Sequence, residues 1–139
     1  MAQAKSRKVA LLPIKPKFAN AIIDGHKTIE FRKMKFKEDV SHVVIYASSP
    51  VKKVIGYFEI DTIDEGTPKA LWKKYHTTGG IEYEDFMEYY SDKKMAFGIK
   101  VKNVKTLKRP IGLDKLKRGL KAPQNFLYLK NQQFEKVTA

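Results

Sequence analysis

The sequence contains no cysteine, which excludes a disulfide framework, thiolate metal sites and a cysteine nucleophile, and fits a reducing compartment. Histidine is scarce: His26, His42 and His76 are scattered and show no metal-ligand spacing. No apolar run is long enough to cross a bilayer. The first eight residues, Met1 to Lys8, have no apolar segment behind their charges, so they do not read as a secretory signal. Internal repeats, low-complexity tracts and linker-like stretches are also missing. These absences lead to the expectation of a soluble, cytoplasmic protein without cofactor or metal. They also predict one domain over 1–139, with a flexible basic N-terminus over 1–7 and a frayed tail over 130–139.

Acidic residues are few against basic ones, 15 against 28, for a net charge of +13 and a pI near 9.8. Hydrophobic residues make up 42%, so the excess charge is not that of a disordered segment. The charge is also segregated. Residues 1–37 carry ten basic and two acidic side chains, residues 99–121 nine and one, and residues 59–92 three basic against nine acidic. One basic and one acidic face follow, and the basic face favours a polyanionic partner, nucleic acid above all.

The apolar run Lys8–Ile14 predicts a buried strand. Pro16 at a helix start, Phe18, Ala21 and Ile22 at helical spacing, and Gly25 as a left-handed stop predict a helix over 16–24. Strands are predicted over 28–32, 42–48 and 54–63, with Gly56 as a bend or bulge in the last. Thr67-Pro68 predicts a capped helix carrying Leu71, Trp72 and Tyr75. A second helix near 82–90 carries Phe86, Met87 and Tyr90 as core, and a long strand follows from Met95. The order β-α-β-β-β-α-α-β lacks regular βαβ alternation. It predicts an α+β fold: a mostly antiparallel, curled sheet forming a small β-barrel with helices packed at its ends.

The densest constellation is Gly25-His26-Lys27-Thr28-Ile29-Glu30-Phe31-Arg32. After the helix stop, alternation sets Thr28, Glu30 and Arg32 opposite Ile29 and Phe31, with Lys27 at the junction. Two cations beside one carboxylate can hold phosphate while the carboxylate accepts from a base amino group. They can tune each other for acid–base work, or they can pair as a structural network. Spacing leaves all three open.

The run G-x-K-x-x-E-x-R, after a helix opened by Ile14-Lys15-Pro16-Lys17, resembles the signature of the ASCH domain, a branch of the PUA-like superfamily. Val43–Ile60, including Val43-Val44-Ile45-Tyr46-Ala47-Ser48-Ser49-Pro50, and the closing Pro123–Tyr128 extend the resemblance over nearly the whole chain, with Asn125 in place of a serine. The resemblance implies a PUA-like barrel with a cleft beside the first helix, and binding of RNA in preference to DNA, with a role in transcription or RNA-related regulation. In its terms Gly25 shapes the mouth of the cleft, Lys27 reaches a phosphate or base carbonyl, Glu30 accepts from a base edge, and Arg32 orients Glu30 or binds phosphate. Lys15, Lys17 and Lys33 join them, Tyr46, Ser48 and Ser49 form another wall, and Lys52 and Lys53 follow the backbone. Phe126 and Tyr128 either stack a base or, the favoured alternative, lock the tail onto the barrel.

One ASCH branch consists of N4-acetylcytidine amidohydrolases, whose catalytic lysine position corresponds to Lys27. The catalytic threonine position is Glu30 here, and the inter-helix loop His76-Thr77-Thr78-Gly79-Gly80 offers no carboxylate, so that mechanism does not carry over. The alternative is a metal-independent hydrolase or ribonuclease acting on RNA or a modified nucleoside, with Lys27 and Glu30 as acid and base. A third class is a small-ligand binder using the same cleft. A monomer is expected.

Overall fold

The computed structural model describes residues 7–139, so the expectation for the N-terminus lies outside the described residues except at Arg7, whose guanidinium pairs with Asp39 at 3.0 Å. The elements run β1 (Lys8–Ile14), α1 (Pro16–Asp24), β2 (Ile29–Arg32), β3 (Val40–Ala47), β4 (Lys53–Gly66), α2 (Pro68–Tyr75), α3 (Tyr83–Tyr89), β5 (Ala96–Ile111), a 3-10 turn (Leu113–Lys115), β6 (Leu127–Leu129) and α4 (Asn131–Thr138). All six strands form one sheet in the order β2-β5-β4-β3-β1-β6. Among the described residues only β1 and β3 run parallel, Ala10 facing Val43 and Ile14 facing Ala47. The fold is α+β, with four helices among the described residues on a mostly antiparallel sheet.

Local chemistry accounts for the boundaries. Pro16 suits the start of α1, where its missing N–H would have had no helical acceptor, and Gly25 closes the helix at φ 89, its N–H donating to Ile22 O. Thr67 caps α2 by accepting from the Ala70 N–H at 3.1 Å. Gly56 sits at a register shift between β4 and β5, where an added Cβ would lie 2.5 Å from Lys105 O. β1 is paired on both sides and covered on both faces, which is why it reads as a continuous apolar run rather than an alternation.

Core residues fall into three clusters. One packs α1 (Ala19, Ile22) on Leu12, Ile14, Ala47 and Phe58. A second, on the alternate side chains of β1 and β3, joins Leu11, Val44 and Tyr46 to Leu113, Leu116 and Val137. The third seats α2 and α3 on β2 through Phe31, Leu71, Tyr75, Phe86 and Tyr90.

Three expectations need correcting here or below. The sheet is not closed into a barrel: β2 and β6 end it as edges of four and three residues. Closure needs a continuous ladder with matched tilt and stagger, and strands this short leave a gap. Arg32 spans it instead, donating from Nη1 to Pro13 O at 3.3 Å and from Nη2 to Asn125 O at 2.8 Å. The tail is not frayed: 131–138 form α4, because Val137 is buried and Phe134 packs on His42 and Tyr57, ring centroids 5.4 and 5.5 Å away.

Candidate nucleic-acid interface

The gap beside β2 opens into a cleft of about 690 Å³ between β1, the start of α1, β2, α3 and the segment 124–126. Its floor is set by two buried ionisable side chains, Lys27 (2% exposed) and Glu30 (6%). Both positions follow from the backbone around Gly25. The left-handed turn sends the chain back, so the Lys27 N–H donates to Ala21 O and the Thr28 N–H to Thr78 O, each at 3.0 Å. β2 then pairs with β5, Glu30 facing Ile99.

Glu30 lies between two cations. Lys27 Nζ is 3.7 Å from Oε1 and Arg32 Nη1 is 3.3 Å from Oε2. Lys27 also donates to Gly79 O and sits 4.9 Å from the Phe31 ring and 5.3 Å from the Phe18 ring. Burial pushes its pKa down, and Glu30 opposes that shift. The Gly79-Gly80 turn covers the Lys27 stem: Gly80 is left-handed at φ 62, and a Cβ there would meet Lys27 Cβ at 3.0 Å. Arg32 is fixed from behind by the Tyr90 hydroxyl, which donates to its carbonyl at 2.8 Å and whose own pKa is driven up by burial.

Lys15, Lys17 and Lys33 line the cleft, with Asp85 and Glu88 of α3 on the opposite side. Lys33 Nζ stands 4.6 Å over the Tyr89 ring. Phe126 lines the far end and packs edge-on against Phe36 at 4.9 Å, while the Tyr128 hydroxyl accepts from the Glu38 N–H. Among the described residues no three His, Asp or Glu side chains gather where they could hold a metal ion, and no helix is long and apolar enough to cross a membrane.

The remaining expected site residues separate. Gly25 is exposed at the helix exit and outside the cleft lining. Tyr46, Lys52 and Lys53 line a different, shallow groove of about 520 Å³ with Leu113, Asp114 and Lys121. Ser48 and Ser49 line neither. The expectation that Tyr46, Ser48 and Ser49 form another wall of the same cleft is therefore corrected. The physical reason is the period of two: Tyr46 points to the opposite face of β3 from Ile45 and Ala47, whose cluster carries Leu12 and Ile14 of the cleft floor. Ser48 is consumed by the turn, its N–H donating to Ile14 O and its carbonyl accepting from Val51.

Sequence reasoning missed Gly79, whose carbonyl takes the buried ammonium, together with Phe18, Asp85, Glu88 and Tyr89. The adjacent glycines were visible, and their positions mark a close backbone approach; which side chain lies beneath them was not encoded locally.

Residues 8–121 match the model of the family described as Domain of unknown function (DUF365). An ASCH domain-containing ribonuclease of Zymomonas mobilis subsp. mobilis is 29% identical over 143 residues, spanning 100% of this chain and 96% of that protein. The crystal structure of ASCH from Zymomonas mobilis superposes with a TM-score of 0.88 at 30% identity, covering 96% of this chain and 95% of that one. The N-terminal domain of Staphylothermus marinus McrB, at 13% identity and a TM-score of 0.58 over 95% of this chain and 92% of that one, shares the fold alone.

Proposed function

We propose, from the premise that this chain belongs to the DUF365 family and is an ASCH-domain protein, that it binds RNA in preference to DNA in the cleft beside β2. The observation that carries this reading is Glu30, a buried carboxylate held between two cations at the floor of a cleft lined by three further lysines besides Lys27. A carboxylate only accepts hydrogen bonds, so Glu30 takes the amino or imino donors of an unstacked base. Lys15, Lys17 and Lys33 hold the flanking phosphates, and counterion release from those contacts drives association. Tyr46, Lys52 and Lys53 offer a second contact region on their own groove. A single-stranded substrate suits this arrangement, since the base edge must leave its stack to reach Glu30.

Fluorescence anisotropy with matched single-stranded RNA, duplex RNA and duplex DNA over a salt series tests the proposal. Single-stranded RNA binds tightest, and its affinity falls with salt; Glu30→Gln weakens binding, and Lys15→Ala with Lys17→Ala lowers the salt slope. Equal affinity for all three, or none at low salt, rejects it.

A second reading, metal-independent RNA cleavage, is favoured by the description of the Zymomonas mobilis relative as a ribonuclease. Glu30 would take the proton of a ribose 2′-hydroxyl as its oxygen attacks the adjacent phosphorus. Lys27, its pKa lowered by burial, would return a proton to the departing 5′-oxygen. The products are a 2′,3′-cyclic phosphate and a 5′-hydroxyl. Labelled RNA incubated with EDTA and run on a gel decides: cleavage abolished by Glu30→Gln supports it, and intact RNA refutes it.

A further inference from the structure

We propose that the base read by this cleft is guanine, taken by its N1–H and N2–H₂ edge on the two oxygens of Glu30. The inference rests on the reading that Glu30 faces a base, and adds which base.

It follows from counting what the clamp has left to offer. Both Glu30 oxygens lie next to a cation, Oε1 beside Lys27 and Oε2 beside Arg32. An ionised carboxylate has about four lone-pair sites, so each oxygen keeps room for one more donor. The cations are largely spent. Arg32 already serves Pro13 O, Asn125 O and Glu30, and Lys27 gives a hydrogen bond to Gly79 O beneath the two glycines and the Phe18 and Phe31 rings. What faces the cleft is thus a pair of adjacent acceptors with a positive charge on each side.

Among the four RNA bases only guanine presents two adjacent donors on its Watson–Crick edge. Adenine and cytosine each set one amino group beside a ring-nitrogen acceptor, which a carboxylate repels. Uracil has one N–H between two carbonyls. Guanine also carries O6 next to N1, and the clamp suits it in either orientation, since O6 then lies on the Lys27 side or on the Arg32 side, next to a cation both ways. Phe18, Tyr89 and Phe126 line the same cleft and supply ring faces on which a base can stack.

The test leaves the protein untouched and changes single atoms of the ligand. Fluorescein-labelled uridine octamers, either all-uridine or carrying one central guanosine, inosine, adenosine or cytidine, are titrated by anisotropy at low salt, with a gel to confirm that the RNA is intact. Inosine keeps N1–H and O6 but lacks the N2 amine. The guanosine octamer is expected to bind at least about tenfold tighter than the uridine, adenosine or cytidine ones, with inosine losing most of that gain. Glu30→Gln, which replaces one acceptor by a donor, should erase the preference for guanosine over the other central bases. Equal affinity for all octamers overturns the guanine proposal while leaving RNA binding intact. Inosine equal to guanosine overturns the two-donor contact. No binding of any octamer removes the underlying reading as well.

Discussion

Replacing Arg32 by alanine tests whether one side chain holds both the open edge of the sheet and the clamp. In the native protein its guanidinium reaches Pro13 O and Glu30 Oε2 at 3.3 Å and Asn125 O at 2.8 Å. The Asn125 carbonyl is at the surface and regains water, so its loss costs little. The part-buried Pro13 carbonyl loses a charged donor, worth about 1 kcal/mol after partial rehydration. Glu30, almost fully buried, loses one of its two cations, worth about 2 kcal/mol given that Lys27 remains. The sum is about 3 kcal/mol, or roughly 10 °C in Tm for a chain of this size. Arg32→Lys should recover about 1 kcal/mol, because an ammonium can serve Glu30 but lacks the fork that reaches two carbonyls. Urea titration and differential scanning calorimetry of the wild type and both variants provide the assay. A loss below about 1 kcal/mol in Arg32→Ala, or an Arg32→Lys equal to the wild type, would refute the bridging role.

Three further outcomes follow from the same geometry. Gly79→Ala places a Cβ 2.7 Å from the Phe31 ring and 3.0 Å from Tyr75 O; about 1–3 kcal/mol of stability should be lost, measured by urea unfolding. Lys27→Met should change the pH dependence of stability. Burial lowers the folded-state pKa of Lys27 below its ordinary 10.5, so between the two values the unfolded chain holds the proton more tightly. Stability therefore rises with pH in the window just below 10.5 for the wild type relative to Lys27→Met, and parallel curves for the two proteins would contradict this. Ending the chain after Lys130 removes the buried Val137 and the Phe134 ring packed on His42 and Tyr57. About 3 kcal/mol should be lost, read from the urea midpoint.

Much was legible from local pattern. The bounds of α1 follow from Pro16 and Gly25, the start of α2 from Thr67-Pro68, and the irregularity in β4 from Gly56, because caps, fixed φ angles and the absence of a Cβ act within a few residues. The chemical types of the site were legible too, since Lys27, Glu30 and Arg32 lie within six residues of one another. α4 was missed although Phe134 and Val137 stand three apart and the Lys130 N–H meets Gln133 Oε1 at 2.8 Å. Two apolar positions in a polar segment become a helix only when something lies beneath them, here His42, Tyr57 and the second core cluster.

The sequence by itself therefore determined the elements from β1 to β5, whose caps, breaks and periodicity are local, and which side chains carry charge near the helix exit. The tertiary structure decided what those charges mean. Lys27 finds its carbonyl 52 residues away at Gly79, and Arg32 finds Asn125 93 residues away. Those contacts bury the clamp and bridge the open edge between β2 and β6. Spacing along a strand fixes which side a residue faces, while burial and hydrogen-bond partners depend on which distant segment packs against that side.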